Sequence, residues 1–270
     1  MMRSITAISL LCLPLLCGGC SLRRAGAHYA GSMIENGMSA YYEERDLELA
    51  RESLPANLKL MEVLLRNNPE DMTLRTSLSQ GYCSYAFMFY EDSDPERAKY
   101  FYRKGADFTA GIEQESIKRN PRIMPALFWN SFCRASYIQL DLQNPDSIAE
   151  LPALDKTADL LLETDPDFYY GGPHTLKASL AAARPVMMGG NPPLAKKHFE
   201  AALSGTGADF KLNRFLYAKI YAVQTQDREL FGSLLKQTLE DSQELPEQRL
   251  ANEAVRLRAK HLLEKQDELF

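Results

Sequence analysis

RPVMMGGNPPLAKKHFEAAL, Arg184 to Leu203, reads as the turn and second helix of a tetratricopeptide-type helical hairpin. Pro185 sets off one end and Gly189-Gly190 permits a sharp turn. Asn191 can cap the following helix, and Pro192 supplies a first-turn residue that needs no N–H partner. Ala195, Phe199, Ala202 and Leu203 then share one face, small residues alternating with large ones. That A-x3-F-x2-A-L spacing is the second-helix half of a repeat of about 34 residues. A helical hairpin cannot bury its apolar face alone, so one repeat implies neighbours stacked on it. A lone amphipathic helix of any α-helical domain carries the same pattern, and the rest of the chain has to decide.

The chain of 270 residues is 45% hydrophobic, enough for one large core. Its net charge of -5 leaves no basic footprint for nucleic acid. Valine occurs only at Val63, Val186, Val223 and Val255, while leucine, alanine and methionine fill the periodic segments, which disfavours a sheet. Asn-Pro or Asp-Pro pairs recur at Asn68-Pro69, Asp94-Pro95, Asn120-Pro121, Asn144-Pro145, Asp165-Pro166 and Asn191-Pro192. Each marks a helix stop followed by a capped start. Their intervals of 26, 26, 24, 21 and 26 residues exceed the roughly 17 of a strict repeat helix with its turn. The expectation is an all-α, irregular tetratricopeptide-like solenoid of about eleven helices, one compact domain over residues 20–270. Pro55 is expected to break or kink the helix around it.

Arg3 precedes an apolar run from Ile5 to Leu16 with the layout of a secretory signal, too short to span a bilayer as a mature helix. The run ends in LLCGGCS, where small residues before a cysteine resemble a bacterial lipobox. Residues 1–19 are then a lipoprotein signal peptide and Cys20 the lipidated first residue. Cys17 stands where leucine is commonest in a lipobox, which leaves an ordinary signal-peptidase site as the alternative. Lipid chains on Cys20 would hold the protein to the periplasmic face of a bacterial membrane. Ser21, in place of a retention aspartate, favours the outer one. Cys83 and Cys133 both lie in apolar helical segments; the reading prefers two buried free thiols, with a disulfide as the alternative in an oxidising periplasm.

Catalytic constellations are weak. His28, His174, His198 and His261 form no close ligand spacing, and there is no CxxC, GxSxG, Walker loop or dinucleotide fingerprint. Glu43, Glu44, Asp46 and Glu48 cluster where they suit a helix start. No enzyme, metal or cofactor is expected. Aromatic density is the unusual feature, running through Tyr82–Tyr90, Tyr100–Tyr102, Phe128–Phe132 and Phe168–Tyr170. Most of these rings should be core. A stacked-helix array can also leave a groove or channel that such rings would line for an apolar ligand or a partner helix.

Longer pieces carry a resemblance. ARESLPANLKLMEVLLRNNPED (50–71), YFYRKGADFTAGI (100–112), ALFWNSFCRASYIQL (126–140), YYGGPHTLKASLAAARPVMMGGNPPLAKKHFEAAL (169–203) and RLANEAVRLRAKHLLEKQDELF (249–270) resemble the TatT family. These are the T components that accompany certain tripartite ATP-independent periplasmic (TRAP) transporters, and the likeness runs from Cys20 to Phe270. It implies a periplasmic lipoprotein of irregular tetratricopeptide-type fold, a homotrimer with a hydrophobic channel through each protomer. The implied partner is the TRAP solute-binding P component, and the implied ligand an apolar or amphipathic organic acid. No short motif marks the channel. Aromatic density and turn position select Tyr82, Tyr85, Phe89, Phe128, Trp129, Phe132, Tyr170, His174 and Met187 as its lining. The competing expectation is a lipid-anchored repeat scaffold for envelope assembly that takes no small molecule. A continuous apolar channel would favour transport; a tightly filled core would not.

Overall fold

The computed structural model describes residues 26–34, 37–184, 186–241 and 243–270; the leader 1–19, Cys20 and Pro185 lie outside them. The chain runs α1 (26–34), α2 (Ser39–Tyr42), α3 (Leu47–Asn67), α4 (Met72–Phe89), α5 (Pro95–Phe108), α6 (Met124–Gln139) and α7 (Pro145–Ala149). It continues through α8 (Leu151–Thr164), α9 (Phe168–Ala182), α10 (Pro192–Ala202), α11 (Lys211–Leu216), α12 (Arg228–Glu240), α13 (Arg249–Glu264) and α14 (Gln266–Leu269). A π-helical segment, Tyr217–Ala222, prolongs α11. No strand occurs among the described residues, so the fold is all-α.

Asp and Asn set many of the helix starts. The side chains of Asp71, Asp94, Asn191 and Asp227 accept backbone N–H groups from Leu74, Arg97, Leu194 and Leu230 at 2.9–3.1 Å, satisfying first-turn donors that have no intrahelical partner. Asp94-Pro95, Asn144-Pro145 and Asn191-Pro192 each start an α-helix, with proline in its first turn. Asn68 and Asp165 instead close α3 and α8, and Asn120-Pro121 opens a short 3-10 turn. Pro55 does not break its helix: α3 continues through it. A proline leaves the carbonyl four residues earlier without its N–H donor. That acceptor, Arg51 O, takes the Tyr85 hydroxyl at 3.1 Å, which spares the helix an unpaired group.

Successive helices pack as neighbours from α3 through α6, and again through α8, α9 and α10. The array then turns back on itself, because α13 lies against α2, α3 and α4. Arg258 makes the junction, donating to Glu91 Oε1 at 2.7 Å, Asp92 Oδ1 at 2.8 Å and the Phe87 carbonyl at 2.9 Å. Its guanidinium also lies 4.0 Å from the centre of the Phe87 ring. One core joins α3, α4 and α5 to α11, α12 and α13; a second joins α6, α8 and α9.

Cys83 and Cys133 form a disulfide between α4 and α6, with Cα atoms 5.5 Å apart, so the preferred reading of two free thiols is corrected. Both side chains are fully buried, as that reading required, but the two helices bring them together. Gly105 of α5 closes over the bridge: a Cβ there would stand 2.4 Å from Cys83 Sγ.

Two measurements test this framework. Replacing Cys83 and Cys133 together by alanine should lower stability by about 2–4 kcal/mol in denaturant unfolding, since the bridge closes a long loop in the unfolded chain. Arg258→Met should cost about 3–5 kcal/mol by removing one of the two cations that hold buried Glu91 and the hydrogen bonds to Asp92 and the Phe87 carbonyl, and Glu91→Gln in the same chain should restore part of the loss.

Candidate ligand cavity

Where the two cores meet, the helices leave a cavity of about 310 Å³. Phe87 from α4, Leu216 and Val255 from one core face Phe128, Trp129, Leu176 and Leu180 from the other. Phe132 and Ile138 of α6 and Ile220 and Val223 beyond α11 complete an apolar wall, interrupted by Ser84, Ser136, Thr175, Ser179 and Asn213. Such a composition, largely apolar with a few placed polar groups, is that of a small-molecule site.

Unusual backbone shapes two sides of it. Tyr169, Tyr170 and Gly171 open α9 in the left-handed region, at φ 46°, 60° and 77°. Two tyrosines held there cost on the order of 1–3 kcal/mol each, so the surroundings must enforce them. Asn213 does so, directing its amide at the carbonyl oxygens of Tyr170, Ala202 and Gly207 at 2.8, 3.1 and 2.9 Å. Its own carbonyl oxygen accepts from Thr175 Oγ1 at 2.7 Å. At Gly171 a Cβ would meet the Ala202 backbone at 3.2 Å, so close approach and positive φ both call for glycine. The turn sets Tyr169 into the cavity wall, its ring centre 4.9 Å from that of Trp129 and its hydroxyl donating to Gln248 at 3.1 Å. Opposite, the π segment presents Lys219 and Ile220, and π turns inside helices concentrate at functional sites.

One end of the cavity is charged. Glu91 is buried, pairs with Lys219 and Arg258, and accepts from the Tyr102 hydroxyl. Burial alone would raise its carboxyl. The Lys219 and Arg258 charges more than offset that and hold it at about 2. Tyr102 is pushed well above the usual phenol value by burial and by the Glu91 charge.

Of the residues selected from sequence, Phe128, Trp129 and Phe132 line this cavity together. The others sit elsewhere. Tyr82 stacks on Phe101 and Phe108 and bonds Glu62, Tyr85 serves the Arg51 carbonyl, and Phe89 packs on Tyr85 at 5.2 Å, all within the α3–α5 core. Tyr170 turns its hydroxyl to Glu247 at 3.1 Å, while its neighbour Tyr169 faces the cavity. His174 pairs with His198 through Nδ1 atoms 2.8 Å apart, joining α9 to α10, and burial lowers both imidazoles. Met187 is exposed to solvent on the α9–α10 connection. Sequence reasoning missed Tyr169, Asn213, Lys219, Glu91 and Arg258. A signal existed for two of them: Arg258 follows Leu250, Ala254 and Val255 on an apolar stripe, and Lys219 stands alone in the apolar run FLYAKIYAV.

The family model for the TRAP transporter T-component matches residues 43–120 and 118–270. The chain belongs to the TRAP transporter T-component family. No curated protein matches it. A T component is an accessory of a transporter, and every wall of the cavity comes from residues inside the matched ranges. Among the described residues no helix is long and apolar enough to cross a membrane.

The charged end makes a pH prediction. A carboxyl held below its ordinary value of 4.5 adds stability that is complete above that value and is lost as pH falls towards about 2. Urea midpoints should therefore fall steeply between about pH 5 and pH 2.5. Glu91→Gln, weaker at neutral pH, should show a shallower fall over the same interval; an unchanged slope would count against the assignment.

Proposed function

We propose that this T component works on the periplasmic side of a bacterial membrane, tethered by lipid on Cys20. There it docks the solute-binding P component and shelters or relays an apolar or amphipathic organic acid before a separate membrane permease imports it. Family membership supports the transporter role. The observation that carries the ligand role is the cavity between the two cores, whose largely apolar lining with a few placed polar groups suits a small molecule. The Cys83–Cys133 disulfide fits an oxidising compartment. Leu49, Leu60 and Val63 lie exposed along α3 and offer an apolar surface for the P component or for neighbouring copies in a homotrimer.

The protein contributes no bond-making step in this reading. Its work is to exclude water from the ligand's apolar part and to hold the entry geometry while the partner is docked. Sedimentation velocity of the full chain, alone and with its cognate P component, is the direct test. The expected result is a species of about three chain masses alone and a heavier one in the mixture at micromolar concentration. A monomer that sediments independently of the P component would contradict the proposal and return the protein to the class of envelope scaffolds.

A further inference from the structure

Among the described residues that line the cavity, Lys219 is the one cation and Glu91 the one anion. Four charges meet there, and they are not equally wet. The side chains of Arg258, Glu91 and Lys219 are 5%, 8% and 28% exposed, whereas Asp92 is 52% exposed and screened by water. Arg258, Glu91 and Lys219 by themselves sum to one positive, which Asp92 balances from the wetter side, bonding Arg258 and lying 3.8 Å from Lys219 Nζ. Glu91 also has partners to spare: it accepts from Arg258 Nη2 at 2.7 Å and from the Tyr102 hydroxyl, so it stays paired if Lys219 turns away. Arg258 has no such freedom, because its Nη1 and Nη2 also hold the Phe87 carbonyl and Asp92. Lys219, a point charge on a flexible stem, is the group able to exchange partners.

We infer that Lys219 is the head-group anchor of the cavity and that the ligand is a small monocarboxylate whose carboxylate takes the place of Glu91 at Nζ. The inference rests on the cavity being the ligand site proposed above, and it adds the charge and the anchoring residue. The volume is at the lower end of the roughly 300–1,000 Å³ of small-molecule pockets, so a medium-chain or single-ring acid fits it. The apolar tail then runs from Lys219 along Phe128, Trp129 and Leu176. An unpaired dicarboxylate would fare badly, because its second charge would meet those apolar walls.

Trp129 is the only tryptophan of the chain and lies in the cavity wall, so its fluorescence reports occupancy directly. The test titrates the full chain with octanoate and with octan-1-ol, which match in tail and differ in head charge. The unmodified protein should bind octanoate about tenfold or more tighter than the alcohol, the ordinary worth of a hydrogen bond to a charged group. Lys219→Met should erase that preference while still binding the alcohol, and Lys219→Arg should keep it. Alcohol and acid bound equally by the unmodified protein, or a preference that survives in Lys219→Met, would overturn the anchor and leave the cavity standing. Failure of both probes to bind would overturn the cavity reading as well. The acid-to-alcohol comparison in the unmodified protein keeps the test decisive even if a variant does not fold.

Discussion

A single buried guanidinium decides the shape of this molecule. Arg258 of α13 reaches back across the chain to Glu91 and Asp92, just beyond the first hairpin, and converts a row of stacked helices into a closed ring of helices. Taking such charges out of water is unfavourable, and hydrogen bonds offset the cost only when every group is met. Here the guanidinium meets two carboxylates, a carbonyl and the face of Phe87, and Glu91 gains Lys219 and the Tyr102 hydroxyl in addition. Hydrophobic residues could pin the two ends together at less expense. What the ionic junction adds is register: the carboxylates and carbonyl fix where along α4 the last long helix can sit, and hence the width of the space between the two cores.

That space depends on a second set of constraints. The left-handed turn at Tyr169–Gly171 and the π segment at Tyr217–Ala222 are both departures from regular helix, and both put a side chain into the cavity. Asn213 links them, since it belongs to α11, which leads into the π segment, and its amide holds the Tyr170 carbonyl. A change in either element would therefore be felt by the other. Strained backbone that persists only because its surroundings over-determine it is a mark of functional geometry.

The fold was legible in the sequence to the extent that it is local. Asp-Pro and Asn-Pro punctuation, the scarcity of valine and the periodic leucines marked where helices start and stop. Among the described residues, helices of nine residues or more number eleven when α11 and its π continuation are taken as one. Closure was not legible, because a contact between Glu91 and Arg258 spans 167 positions and leaves no periodic trace. The cavity was legible only in part. Aromatic density found Phe128, Trp129 and Phe132 because α6 turns the same face to both α4 and α9. It also selected Tyr82, Tyr85 and Phe89, whose rings fill a core, since density alone does not separate lining from filling. Tyr170 was chosen over Tyr169 for want of any sign that three left-handed residues rotate the pair. The disulfide turned on the meeting of α4 and α6, which the spacing of two lone cysteines does not encode.

These constraints combine into one account of a transporter accessory: a ring of helices held shut by Arg258, two cores with a largely apolar space between them, and a charged end where Lys219 can trade one carboxylate for another. The most direct measurement is native mass spectrometry of the full chain purified from a bacterial periplasm, followed by solvent extraction of what it carries. The account predicts a protein mass raised by one small organic acid per chain, released on denaturation. A protein at its bare mass that stays so when offered such acids would contradict it.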